Sequence, residues 1–164
     1  MSTLKTTNIQ HPSAASPAIE LTAAGGLWLG GGKILQVVRA TDGTARSTTS
    51  TTFVDITGMT VTITPTKSTS AIVILYSSFV QAASAQQLVI QITDASNNAI
   101  SGGEGAYIYN NVGSLQSQLT MLAYDTPATT SATTYKARFK ITGGTAQISN
   151  DLITGQMYAI EVSA

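Results

Sequence analysis

The chain contains no cysteine. That excludes a disulfide framework, thiolate chemistry and cysteine metal ligands, and it leaves the redox compartment open. Histidine is almost missing as well: the single copy is His11, beside Pro12. A Ser-His-Asp or Cys-His nucleophile system needs a fixed imidazole next to its nucleophile, and His11 suits a solvated or packed position better. Neither a catalytic site nor a metal site is expected, and no cofactor. Charge is scarce: 10% of residues are Asp, Glu, Lys or Arg, against about 25% in ordinary soluble domains. The formal net charge is zero, so the basic excess of a general nucleic-acid binder is absent. No apolar run approaches the roughly 20 residues of a membrane span. The start has no secretory apolar core either, since Leu4 is followed by Lys5 and by polar or small residues. The expectation is a protein made in a cytoplasm, with no nucleic-acid or membrane partner.

What the chain does have is 164 residues, enough for one domain with a substantial core. Hydrophobic residues make up 43%. With so little charge, solubility must come from abundant Ser and Thr. An apolar, weakly charged surface fits a chain that hides much of itself in an oligomer or a larger assembly.

Residues 1–26 do not read as part of a globular core. Pro12 and Pro17 sit among small polar residues and forbid a helix or central strand through them. The apolar residues Leu4, Ile9, Ile19 and Leu21 are isolated pegs rather than a periodic face. Such a peptide is expected to be an extended arm, ordered where another surface receives the pegs. Residues 27–33 read as a junction: Trp28 is a large apolar anchor, and Gly30, Gly31 and Gly32 form a hinge. Gly32-Lys33 does not complete a phosphate-binding loop, because Leu27 and Ile34 stand where glycine and Ser or Thr are required.

From residue 34 to 164 the pattern is short strands, and no stretch carries a convincing helical period. Strands are expected at 34–40, 53–56, 59–64, 71–80, 87–93, 105–109, 118–124, 134–142 and 156–163, with a short extra one near Gln147. Thr57-Gly58 is read as a break. The run from Ala71 to Val80 is apolar throughout, as a central strand would be. Tyr135, Ala137, Phe139 and Ile141 alternate with Lys136, Arg138 and Lys140, and Tyr158, Ile160 and Val162 alternate with Ala159, Glu161 and Ser163. This spacing predicts an antiparallel all-β sandwich: a jelly roll first, an immunoglobulin-like sandwich second.

Candidate chemistry is thin. Glu20, Asp42, Asp55, Asp94, Glu104, Asp125, Asp151 and Glu161 are widely spaced, and most fall at strand ends, where Asp commonly forms turns. Asp94 with Asn97 and Asn98 does not match a calcium loop and reads as a turn. Lys136, Arg138 and Lys140 form a basic stripe, either a solvated face or a grip for an acidic partner or anionic glycan. The six tyrosines, Tyr76, Tyr107, Tyr109, Tyr124, Tyr135 and Tyr158, suit core or interface packing, with a sugar-stacking surface as the other reading.

The opening Met-Ser-Thr-Leu-Lys-Thr-Thr-Asn-Ile-Gln-His-Pro resembles the N-terminus of structural proteins from tailed bacteriophages, including marine phages and those of cyanobacteria. The stretch from Met59 to Tyr76 resembles the first hairpin of their trimeric β knobs. Met157-Tyr-Ala-Ile-Glu-Val162 resembles the last strand of tumour-necrosis-factor-like jelly rolls, near the threefold axis. The resemblance implies a virion structural protein with a docking arm and a homotrimeric knob, of decoration (cement), head-fibre or tail-fibre type. The knob follows Gly26 with no repetitive shaft, which favours a decoration protein whose arm docks on the major capsid protein or another virion protein. The resemblance also implies Tyr158, Ile160 and Val162 as trimer-interface residues. The alternative is a short tail fibre or adhesin that binds host glycans through loops 97–105 and 125–133. A glycan-cleaving enzyme is a distant third.

Overall fold

The computed structural model describes residues 8–9, 19–21, 27–29, 32–111, 113 and 115–163, with side chains from residue 32 onward. The chain divides into two compact units, Met1–Lys33 and Ile34–Ala164.

The first unit holds β1 (Asn8–Ile9), β2 (Ile19–Leu21) and β3 (Leu27–Leu29) in one antiparallel sheet of order β1-β2-β3. β1 and β2 fall within the expected arm, residues 1–26, and β3 within the expected hinge, residues 27–33. Ile9 stands opposite Ile19, Ile19 opposite Leu29, and Glu20 opposite Trp28. The prolines permit this because Pro12 and Pro17 fall between β1 and β2 in sequence, so neither interrupts a ladder. Leu4, His11, Gly30 and Gly31 lie outside the described residues. Gly32 is described, exposed and outside any strand.

The second unit is a sandwich of two antiparallel sheets, and no helix occurs among the described residues. It is all-β and jelly-roll-like, as the strand spacing predicts. The larger sheet contains β4 (Ile34–Asp42), β5 (Arg46–Thr48), β7 (Ala71–Ala82), β10 (Leu115–Asp125), β12 (Ala146–Ile148) and β13 (Gly155–Val162). Strand β7 is its axis. From Ile72 to Ala82 it pairs with β10 on one edge. The other edge is shared by β13, from Ala71 to Ser77, and β12, from Val80 to Ala82. The smaller sheet has the order β6 (Val54–Ile63), β11 (Thr133–Ile141), β8 (Gln87–Asp94), β9 (Ala106–Tyr109).

The core lies between the sheets. Ile72, Ile74, Tyr76 and Val80 of β7 meet Tyr135, Ala137, Phe139 and Ile141 of β11, Leu88, Ile90 and Ile92 of β8, and Met59, Val61 and Ile63 of β6. Each set obeys the two-residue period of a strand with one covered face.

Two local expectations change. Thr57-Gly58 does not end a strand: β6 runs through it. The register on β11 jumps from Thr60–Lys136 to Asp55–Arg138, which marks a bulge. Gly58 sits there at φ +90°, open to glycine at no cost. Ile56 and Met59 on either side are both buried, so the bulge keeps the apolar phase. Strand β5 carries no apolar alternation and was not expected. It forms because β12 offers an edge to Arg46, Ser47 and Thr48.

Candidate functional site

The two outer faces of the sandwich differ sharply in chemistry. On β13 the burial alternates so that Met157, Ala159 and Glu161 point inward, while Tyr158, Ile160 and Val162 point outward. The ladders extend this outward set into rows. Val37, Ile160, Val73 and Tyr124 stand side by side across β4, β13, β7 and β10. Arg39, Tyr158, Leu75 and Leu122 form the next row. Val37 is 53% exposed, Leu122 61% and Tyr124 53%. Four strands about 4.8 Å apart and two rows about 7 Å apart make a patch on the order of 300 Å². Apolar patches of that size on a single chain often mark an interaction site. Its one charge is Arg39, whose guanidinium lies 5.6 Å from the Tyr158 ring centre and donates to Gln156 Oε1. The Tyr158 hydroxyl donates to the same oxygen.

The outer face of the smaller sheet is polar and cationic. Arg138 Nε and Lys136 Nζ contact the two oxygens of Asp55 at 2.8 and 3.2 Å. Burial pushes the Asp55 carboxyl up, and the bonds and charges of Lys136 and Arg138 outweigh it, leaving it below the usual carboxylate value. Lys136 also donates to Asn97 Oδ1, and Arg138 to the Phe53 carbonyl. Lys140 Nζ lies 4.6 Å over the Phe53 ring. The expected basic stripe is therefore present, with two of its three cations tied to one carboxylate. One strand further on, across β8, the edge strand β9 carries Tyr107 and Tyr109, 64% and 54% exposed.

Several carboxylates are engaged in structural contacts. Asp42 pairs with Arg46 at 3.4 Å. Asp94 accepts from the Asn98 backbone and side-chain amides, and Asn98 lowers its carboxyl as a result. Asp125 accepts from the Tyr135 hydroxyl at 2.7 Å. Burial, then Asp125, push that phenol far above its ordinary value. Glu161 is fully covered. Gln36 Nε2, the Thr66 amide and the Thr66 hydroxyl donate to it at 2.6, 2.7 and 2.8 Å. Burial raises this carboxyl, and the surrounding Ser70, Gln36 and Thr66 outweigh that and lower it to about 2. Ser70 Oγ is buried beside it without a hydrogen bond of good geometry. Among the described residues no group of three or more His, Cys, Asp or Glu could hold a metal ion. No helix of the described residues is long and apolar enough to cross a membrane.

No protein-family model matches the chain, and no curated protein matches it. Among solved structures, it is similar to a chain of the infectious bursal disease virus Gx strain structure. The identity is 14% and the TM-score 0.36, over 99% of this chain and 44% of that one. The chain thus spans less than half of that viral protein. At that score the likeness carries no argument about function.

Sequence reasoning found the outward residues of β13 and the basic stripe. It did not find Val37, Val73, Leu75, Leu122 and Tyr124 as members of one face. They lie on three other strands, and only the strand order brings them together. It also did not foresee Glu161 inside. Its three donors come from residues 95 and 125 positions away.

Proposed function

We propose that this chain is a structural component of a virion, a homotrimer that decorates the head of a tailed phage. The observation that carries the reading is the apolar outer face of the six-stranded sheet. Seven apolar side chains there, Val37, Val73, Leu75, Leu122, Tyr124, Tyr158 and Ile160, share a surface with one charge. An assembly that covers this face explains the low charge of the whole chain. Residues 1–26, with Leu4, Ile9, Ile19 and Leu21, are the segment proposed to dock on the major capsid protein or a neighbouring virion protein. Three tethered copies would multiply weak docking contacts through effective concentration. Deletion of residues 1–26 should abolish rebinding to capsids stripped of the protein while leaving the β domain folded. Equal rebinding after the deletion contradicts the docking role.

The second reading is a short tail fibre or adhesin that binds host glycans. It draws support from the exposed Tyr107 and Tyr109, with Gln87 beside Tyr109 and the β11 cations one strand further across the same sheet. Immuno-gold labelling of particles separates the two, since a decoration protein labels heads and a fibre labels tails.

A further inference from the structure

The outer face of the four-stranded sheet has the chemistry of a ligand platform, and its strand register lays the groups out in rows. Tyr107 of β9 stands beside Val89 of β8, which stands beside Lys140 of β11. Lys140 in turn lies over Phe53. The next row places Gln91 beside Arg138, which is bonded to Asp55. On the other side, Tyr109 stands beside Gln87. Ala106 and Ile108 pack against the core, so the alternation turns both tyrosines outward.

The geometry points to this face as a binding site for an acidic saccharide, a chain of uronic-acid type. Three features fix that chemistry. Exposed aromatic rings at the edge offer flat apolar surfaces to the C–H faces of sugar rings. The amide of Gln87 offers a donor and an acceptor to hydroxyls, and Gln91, whose Nε2 donates to the Glu104 carbonyl, offers its Oε1 as an acceptor. Charge is uneven along the β11 stripe: Asp55 bonds Lys136 and Arg138, and the Asp94 carboxyl also feels the charge of Lys136. Lys140 therefore meets an aromatic ring and no carboxylate among the described residues, so a ligand carboxylate finds its partner there. The inference takes its ligand class from the glycan-binding reading and moves the site from loops 97–105 and 125–133 to the sheet face. It does not depend on the apolar face of the other sheet.

The probe is an oligogalacturonate titrated into isotopically labelled full-length protein, with amide and side-chain shifts followed by NMR. The expected result is a saturable set of shifts confined to β8, β9 and β11. Tyr107→Ala with Tyr109→Ala should weaken binding at least tenfold, and Lys140→Gln should weaken it and flatten its salt dependence. Circular dichroism of each variant confirms the fold. Absence of shifts, or shifts unaffected by these substitutions, overturns the proposal. Equal binding of a neutral maltooligosaccharide overturns the acidic specificity. Equal binding of a hexaglutamate peptide overturns the saccharide assignment and makes the face a charge-only surface. Failure of trimerisation in light scattering leaves each of these outcomes readable, because the probe reports on a different face.

Discussion

The side-chain amide of Asn150 occupies the place that a Cβ on Gly155 would take. Gly155 stands opposite Asp42 in the ladder, and Asn150 Nδ2 reaches Asp42 Oδ2 at 3.5 Å. The missing side chain on β13 thus makes room for a buried carboxamide that faces Asp42, itself paired with Arg46. Gly155→Ala should displace that amide and destabilise the domain by about 1–3 kcal/mol, as overpacking of a filled interior does. Adding Asn150→Ala should recover part of the loss, so the two changes should be non-additive in urea unfolding. Additive losses would mean that the two sites do not compete for one space.

Glu161 gives the domain an acid-sensitive clasp. Its folded carboxyl titrates at about 2, below the ordinary 4.5. A carboxyl that releases its proton more readily when folded stabilises the fold fully above pH 4.5. That contribution fades as pH falls from 4.5 toward 2. Unfolding midpoints measured from pH 6 to pH 2 should drop across this window, and Glu161→Gln should be less stable at pH 6 with a shallower acid dependence.

Gly58 allows β6 to keep pairing through its bulge. A Cβ there would lie 2.9 Å from Asp42 Cβ, on a residue at φ +90°. Gly58→Ala should cost about 1–3 kcal/mol in chemical unfolding, combining strain with the close approach.

Much of the fold is legible in the sequence, for a physical reason. A strand with one covered face writes that face into every second residue, so β11 can be read from Tyr135, Ala137, Phe139 and Ile141 alone. Strand β7 reads as central because both of its faces carry apolar residues. The short β5 has no such signature, since its pairing depends on an edge supplied by β12. The burial of Glu161 is equally silent, because its donors Gln36 and Thr66 are distant in sequence. Of the candidate surfaces, the basic stripe is visible in one strand. The partner that binds two of its cations, Asp55, emerges only from the β6–β11 pairing.

The Asp55 cluster should matter more to surface charge than to stability. Asp55 is half exposed, so its ion pairs are worth about 0–1 kcal/mol. Asp55→Asn should shift the unfolding midpoint little at neutral pH. It should release Lys136 and Arg138 and strengthen oligogalacturonate binding at low salt.

Self-association through the six-stranded face is the centre of the account. Size-exclusion chromatography with light scattering, at micromolar concentration, should give three times the 16.9 kDa chain mass. Leu122→Glu alters a side chain that is 61% exposed in the single chain, so it should leave the fold intact and yield monomers. A monomeric unaltered protein at that concentration, or a trimer indifferent to Leu122→Glu, would contradict the account.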